Sequence, residues 1–255
     1  MPTTYQRLLA IKKGKQCGFL VLLDPDRKSP KALAKFARTM ELAGADGFLI
    51  GSSIMVSSSF EKAVRAVRRA IKGLLLIFPN GSGMLSKSAD AVLFISLLSG
   101  RNPNLLIGEQ VKAAPQIKSL GLEPIPTAYI LIESGNLTSV CYISNTMPIP
   151  RDKPEITKAH ALAAEYMGMK LVYLEAGSGA AMPVPPETVR QVEKYVSLPL
   201  IVGGGITDPS YARKIAMAGA SFVVIGNVLE DDVKGDLARS FADAIHLNGN
   251  NNKRK

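Results

Sequence analysis

Short apolar runs and longer amphipathic stretches alternate along the chain. Runs at 18–23, 47–50, 74–78, 91–96, 124–132, 171–174, 200–202 and 222–225 are rich in Val, Ile and Leu. Continuous runs of this kind mark strands buried on both faces of a parallel sheet. Helical-period segments lie between most of them, over about 29–43, 59–71, 104–120, 155–167, 186–196, 208–218 and 231–247. Ser29 and Pro30 suit a cap and first turn, and Pro115 is expected to kink the 104–120 helix. Residues 1–17 read as a short entry helix, apolar at Tyr5, Leu8, Leu9 and Ile11. Only about a dozen residues separate the third run from the fourth, so the third helix is expected to be missing or replaced by a loop. In 133–154 the pattern changes: 139–143 reads as a short extra strand, followed by the proline-rich loop Met147-Pro-Ile-Pro-Arg-Asp-Lys-Pro154. Eight strands alternating with about seven helices predict a single TIM-type (β/α)8 barrel over 1–247, with an open doubly wound sheet the second architecture. Residues 248–255, Asn-rich and closing in Lys-Arg-Lys, read as a disordered basic tail.

At 255 residues and 47% hydrophobic, the chain is large enough to bury one substantial core. No apolar run reaches the roughly 18–20 residues that span a bilayer. There is no signal-type apolar segment before Leu8, and the two cysteines, Cys17 and Cys141, form no framework, so a cytoplasmic location is expected. With only His160 and His246, a histidine-built metal site or a Ser-His-Asp triad is excluded as a leading idea. The net charge is +10, and Lys28, Lys31, Lys35, Arg38 and Lys62, Arg65, Arg69, Lys72 each fall on one helix face. A solvated outer face explains such spacing, and transient contact with an anionic membrane surface is the sharper reading. No nucleic-acid motif accompanies the charge, so no nucleic-acid partner is expected.

The last three strands each end in glycine: Glu175-Ala-Gly-Ser-Gly179, Gly203-Gly-Gly-Ile206 and Gly226-Asn227. Glycine lets backbone N–H groups approach an anion, and helix N-termini favour one, so three such ends predict a phosphate cup. Strand ends on one barrel face would also gather Asp24, Asp26, Ser52, Ser53, Asn80, Glu133, Tyr173, Glu175 and Ser178. Asp24 is the leading Mg²⁺ ligand candidate, since Mg²⁺ takes a carboxylate or two and fills its octahedron with water and phosphate oxygens. Asp26 reads as a turn residue. Glu175 beside the cup suits a general base, or else a brace for the glycine loop. Tyr173, two residues earlier, points the same way, either to orient a hydroxyl or to pack.

With Leu23-Asp-Pro-Asp26, Leu49-Ile-Gly-Ser-Ser53, Phe78-Pro-Asn-Gly-Ser82, Tyr173-Leu-Glu-Ala-Gly-Ser-Gly179, Val202-Gly-Gly-Gly-Ile206 and Ile225-Gly-Asn227 in this order, the chain resembles a known family. These are the geranylgeranylglyceryl phosphate synthases and related heptaprenylglyceryl phosphate synthases. The resemblance implies a prenyltransferase that joins sn-glycerol 1-phosphate to a long-chain prenyl diphosphate through an ether bond, releasing diphosphate. It implies Mg²⁺ held by Asp24 and Ser53, with Glu175 as base and Tyr173 assisting. It places glycerol phosphate against Tyr173, Leu174, Glu175, Ala176, Gly177, Ser178, Gly179, Gly204, Gly205, Gly226 and Asn227. A barrel without its third helix and a homo-oligomer, dimer or hexamer, are implied as well. Leu22 and Ala176 depart from the family pattern, in which lysine and tyrosine are common at those places. Candidates for the prenyl groove are Phe78, Leu97, Leu98 and Tyr129. Another phosphate-binding barrel enzyme, a phosphosugar isomerase or a thiamine-phosphate-synthase-like transferase, is the competing reading.

Overall fold

The computed structural model describes residues 2–56 and 59–247. Its centre is a closed barrel of eight parallel strands in sequence order: β1 (Gly18–Leu23), β2 (Gly47–Ile50), β3 (Leu74–Ile77), β4 (Ala91–Leu97), β5 (Glu123–Leu131), β6 (Leu171–Glu175), β7 (Leu200–Gly203) and β8 (Phe222–Ile225). Alternate side chains point inward, so Leu20, Leu49, Leu76, Leu93, Ile125, Tyr173, Ile201 and Phe222 meet in one buried cluster inside the barrel. Their neighbours, among them Val21, Phe48, Leu75, Val92, Val172 and Val223, face outward and join a second cluster with the helices. This two-sided burial explains why the strands read as unbroken apolar runs.

Most of the helices meet the expected positions: α1 (Thr4–Lys15), α2 (Pro30–Leu42), α3 (Phe60–Ala70), α4 (Glu109–Leu120), α5 (Ser139–Ser144), α6 (Pro154–Tyr166), α7 (Pro186–Glu193), α8 (Pro209–Met217) and α9 (Asp236–Ile245). Helix α1 carries a capping box at Thr3 and closes the barrel bottom, with Leu8 in the inner cluster and Thr4 Oγ1 donating to the Asp90 carbonyl at 3.1 Å. Residues 78–90, between β3 and β4, form no helix, as their spacing predicts.

The stretch 104–120 is helical, opening with a π-helical turn at Asn104–Gly108 and continuing as α4 with Pro115 inside it. Two expectations need correction. Residues 139–143 form helix α5 rather than a strand; Cys141 and Ser144, three residues apart, are buried while Tyr142 is exposed, and so short an apolar run carries no period of its own. The last helix starts at Asp236, not at 231, because the Asp232 carboxylate accepts the N–H groups of Gly235, Asp236 and Ala238 at 3.0, 3.1 and 2.8 Å. Three bonds to one side chain fix the chain outside the helix and supply its missing acceptors. No helix among the described residues is long and apolar enough to cross a membrane. The tail at 248–255 lies outside the described residues.

Candidate active site

The site is built at the C-terminal rim, where β6, β7 and β8 end side by side and Glu175 pairs in register with Gly203. Inside-outside alternation continues past the sheet, so Glu175 points inward at the barrel mouth and is 5% exposed. Its Oε1 accepts the Gly177 N–H at 2.6 Å, which makes the carboxylate a brace for the first glycine loop. The hydroxyls of Tyr173 and Tyr129 also interact with it. Burial raises its pKa from 4.5 to about 7, against the opposing effect of those three donors. Their own burial, and after it the charge of Glu175, push both tyrosines well above the ordinary phenol value, so they are donors at neutral pH.

Tyr129 faces Tyr173 because the β5–β6 register sets the two opposite each other. With Phe78 they form an aromatic trio, ring centroids 5.2–5.7 Å apart. Edge and stacked contacts at that range lock the rings, and hence the direction of the two hydroxyls.

Backbone geometry shapes the cup. Gly177, Gly179, Gly204 and Gly205 all adopt positive φ, from 69° to 101°. At Gly204 a Cβ would lie 2.2 Å from the Glu175 carboxylate and 2.5 Å from the Gly177 nitrogen, so the position excludes any side chain. Asn227, after β8, donates to Ser178 Oγ at 2.9 Å and ties the third loop to the first. A residue missed at the sequence level braces the loop from outside: Asn136 Nδ2 donates to the Gly179 carbonyl at 3.1 Å, and its Oδ1 accepts the Ala181 N–H at 2.8 Å.

A groove with about 1000 Å³ of empty space, open mouth included, leaves the barrel mouth sideways. Ser52, Ser53, Asn80 and Tyr129 line its polar end; Val92, Phe94, Ala113 and Ile117 line its apolar reach between β4 and α4. It occupies the side of the barrel where the β3–β4 connection has no helix. Phe78 and Leu97 belong to its wall, as expected, whereas Leu98 packs against the outer core instead.

Asp24, just past β1, accepts the Asp26 N–H at 2.9 Å, pairs with Arg27 Nε at 3.3 Å and lies 3.5 Å from Ser52 Oγ. Ser53 adjoins Ser52 on the groove wall. Among the described residues no group of three or more His, Cys, Asp or Glu side chains gathers around a metal-sized space. One carboxylate with the Ser52 hydroxyl beside it does fit a hard divalent ion that keeps its waters and takes its other oxygens from a diphosphate. Asp26 accepts the Val56 N–H at 2.8 Å, so its carboxylate ties the β1 loop to the segment after β2 rather than closing a local turn. Glu133 does cap a local turn, accepting from Gly135 N at 2.7 Å.

The model of the PcrB family matches residues 10–249. The chain belongs to the PcrB family. Among relatives of this PcrB-family chain, the geranylgeranylglyceryl phosphate synthase of Thermococcus gammatolerans is 43% identical over 226 residues, 88% of this chain and 89% of its own. That of Chitinophaga pinensis is 41% identical over 228 residues, 89% and 90% of the two chains. The (S)-3-O-geranylgeranylglyceryl phosphate synthase of Thermoplasma acidophilum, solved in complex with its substrate sn-glycerol-1-phosphate, superposes with a TM-score of 0.91 at 35% identity, covering 96% of this chain and 99% of its own. Thiamine phosphate pyrophosphorylase of Pyrococcus furiosus also matches, at a TM-score of 0.59 and 13% identity over 91% and 96% of the chains, which is a likeness of fold alone.

Proposed function

We propose that this PcrB-family chain transfers a prenyl group from a long-chain prenyl diphosphate, geranylgeranyl by the names of its relatives, to sn-glycerol 1-phosphate. The observation that carries this reading is Tyr129, which belongs both to the groove wall and to the hydrogen-bonding environment of buried Glu175. Through it the phosphate cup and the apolar groove meet at one carboxylate.

The glycerol phosphate occupies the cup of Gly177, Ser178, Gly179, Gly204, Gly205, Gly226 and Asn227, with the flanking Tyr173, Leu174, Glu175 and Ala176 completing its walls. The backbone N–H groups there bind phosphate oxygens without an intervening side chain. Glu175, with a pKa near the working pH, takes the proton from the attacking hydroxyl. An O–C bond forms to the allylic C1 as the C1–O bond to diphosphate breaks, and the electron pair leaves with the diphosphate. Tyr173 and Tyr129 hold the carboxylate in place by donating to it. The apolar groove buries the prenyl tail, at roughly 0.8 kcal/mol per CH2 group removed from water. Holding both reactants against one base turns a bimolecular attack into an oriented one.

Asp24 and Ser53 would hold Mg²⁺, which when bound supplies positive charge for the departing diphosphate. A homo-oligomer, implied by the family resemblance, and a cytoplasmic location, which the two free cysteines favour, belong to the same reading.

The test is incubation with Mg²⁺, radiolabelled sn-glycerol 1-phosphate and prenyl diphosphates of graded length, followed by organic extraction. Label passing into the organic phase is the expected result, and the best donor reports the reach of the groove. Binding of glycerol phosphate with no transfer from any donor would reject the prenyltransferase reading and leave a phosphate-binding barrel.

A further inference from the structure

Arg27 stands between two carboxylates that serve different halves of the site. Its Nε lies 3.3 Å from Asp24 Oδ2, and its Nη1 lies 2.9 Å from Glu230 Oε2. Glu230 closes the turn that begins at Asn227, its N–H donating to the Asn227 carbonyl at 3.1 Å. The Lys28 ammonium donates to the Glu230 carbonyl at 2.9 Å and holds that turn against the β1 loop. Arg27 therefore links Asp24, which lies beside groove-lining Ser52, to the loop whose Asn227 bonds Ser178 in the cup.

We propose that Arg27 is a positioning residue for the prenyl diphosphate, holding Asp24 in the free protein and turning to the diphosphate once a divalent ion takes Asp24. This rests on the reading of Asp24 as a metal ligand. A guanidinium at 3.3 Å and a divalent ion compete for the same carboxylate oxygen, so the ion's arrival weakens the Arg27–Asp24 pair. The Glu230 anchor keeps the guanidinium within the mouth when that happens. Nη2 has no protein partner among the described residues, so the fork retains donors for phosphate oxygens, whose geometry it matches. The side chain is 47% exposed, open enough to swing and to meet a ligand. A salt bridge serving stability alone would need only one of the two carboxylates.

The test uses Mn²⁺ in place of Mg²⁺, followed by electron paramagnetic resonance, with inorganic pyrophosphate as the diphosphate probe and the full-length protein throughout. Arg27→Met is expected to tighten Mn²⁺ binding in the absence of pyrophosphate by about two- to fivefold, since an exposed competing pair is lost. The same variant is expected to weaken pyrophosphate binding in the presence of Mn²⁺ by at least about tenfold, because charge-assisted hydrogen bonds to phosphate vanish. A merely structural Arg27 cannot move the two constants in opposite directions. A folded Arg27→Met protein whose Mn²⁺ affinity is unchanged or lower, or whose pyrophosphate affinity is unchanged, overturns the proposal. Should that variant fail to fold, Glu230→Gln decides: it leaves Arg27 to Asp24 alone, so weaker Mn²⁺ binding supports the proposal and unchanged binding rejects it. If the wild-type protein shows no Mn²⁺ site that Asp24→Asn removes, the metal reading of Asp24 fails and the Arg27 inference falls with it. Loss of the Arg27 effect alone leaves that reading standing.

Discussion

At the scale of the residue, Glu175 is the proposed base, and its titration would reach both activity and stability. Burial raises its pKa from 4.5 to about 7. A base must be unprotonated to act, so kcat/KM is expected to rise as pH increases through about 7 and then level off. Stability runs the other way. Between the unfolded value near 4.5 and the folded value near 7, the folded protein keeps a proton that the unfolded chain has released, so stability is lost as pH rises through that window. A shift of this size corresponds to about 3 kcal/mol. Glu175→Gln retains an acceptor for the Gly177 N–H and carries no charge to bury. Thermal unfolding should therefore show the variant more stable than wild type at pH 8 and closely matched at pH 5, with glycerol-phosphate binding retained and turnover gone. Undiminished turnover would remove Glu175 as the base. Both roles read for this residue, base and loop brace, are compatible, because one oxygen accepts from Gly177 and the carboxylate keeps a second. Tyr129 was read only as groove lining. Its place beside Glu175 depends on the β5–β6 register, and register is a property of two strands that neither sequence segment contains.

At the scale of the element, the groove exists because one connection is short. Residues 78–90 cross from β3 to β4 without a helix, which leaves outward-facing Val92 and Phe94 to be covered by α4 and by Leu85 of the loop. The spacing of apolar runs was enough to foresee this. The shape of the far wall was not: the π-helical turn at Asn104–Gly108 is anchored by the Gln110 side chain, whose Nε2 donates to the Ile95 and Leu105 carbonyls, and no periodicity announces such a turn. Substituting Ala113→Phe would put a ring from α4 into the apolar reach. The preferred donor is then expected to become shorter, with longer chains losing roughly 0.8 kcal/mol for each CH2 left in water and glycerol-phosphate binding unaffected. Measuring turnover across a donor series checks it; an unchanged preference would mean the tail lies elsewhere. Helix α5 shows the opposite limit of reading by pattern. Its apolar run Val140–Ile143 is too short for periodicity to tell helix from strand, and its place against the groove goes with the helical form.

For the whole molecule, the barrel was legible because its strands are buried on both sides and its last three end in glycine, two signals that survive without knowledge of any contact. Asn136 was not legible, since a brace 43 residues away from the carbonyl it holds leaves no local trace. The broken ring of helices has a further meaning for how the protein handles two substrates. The proposed cup lies at the ends of β6, β7 and β8 and the proposed groove between β4 and α4, so on that reading the two ligands would approach from different sides of the rim. Such a plan requires both reactants to be present together and allows either to come first. Initial rates measured against each substrate at fixed levels of the other should give intersecting double-reciprocal lines, and parallel lines would contradict it. A tail that enters from the side never has to thread the barrel, so the length of the chain it accepts can change by remodelling the flank while the sheet that holds the base stays as it is.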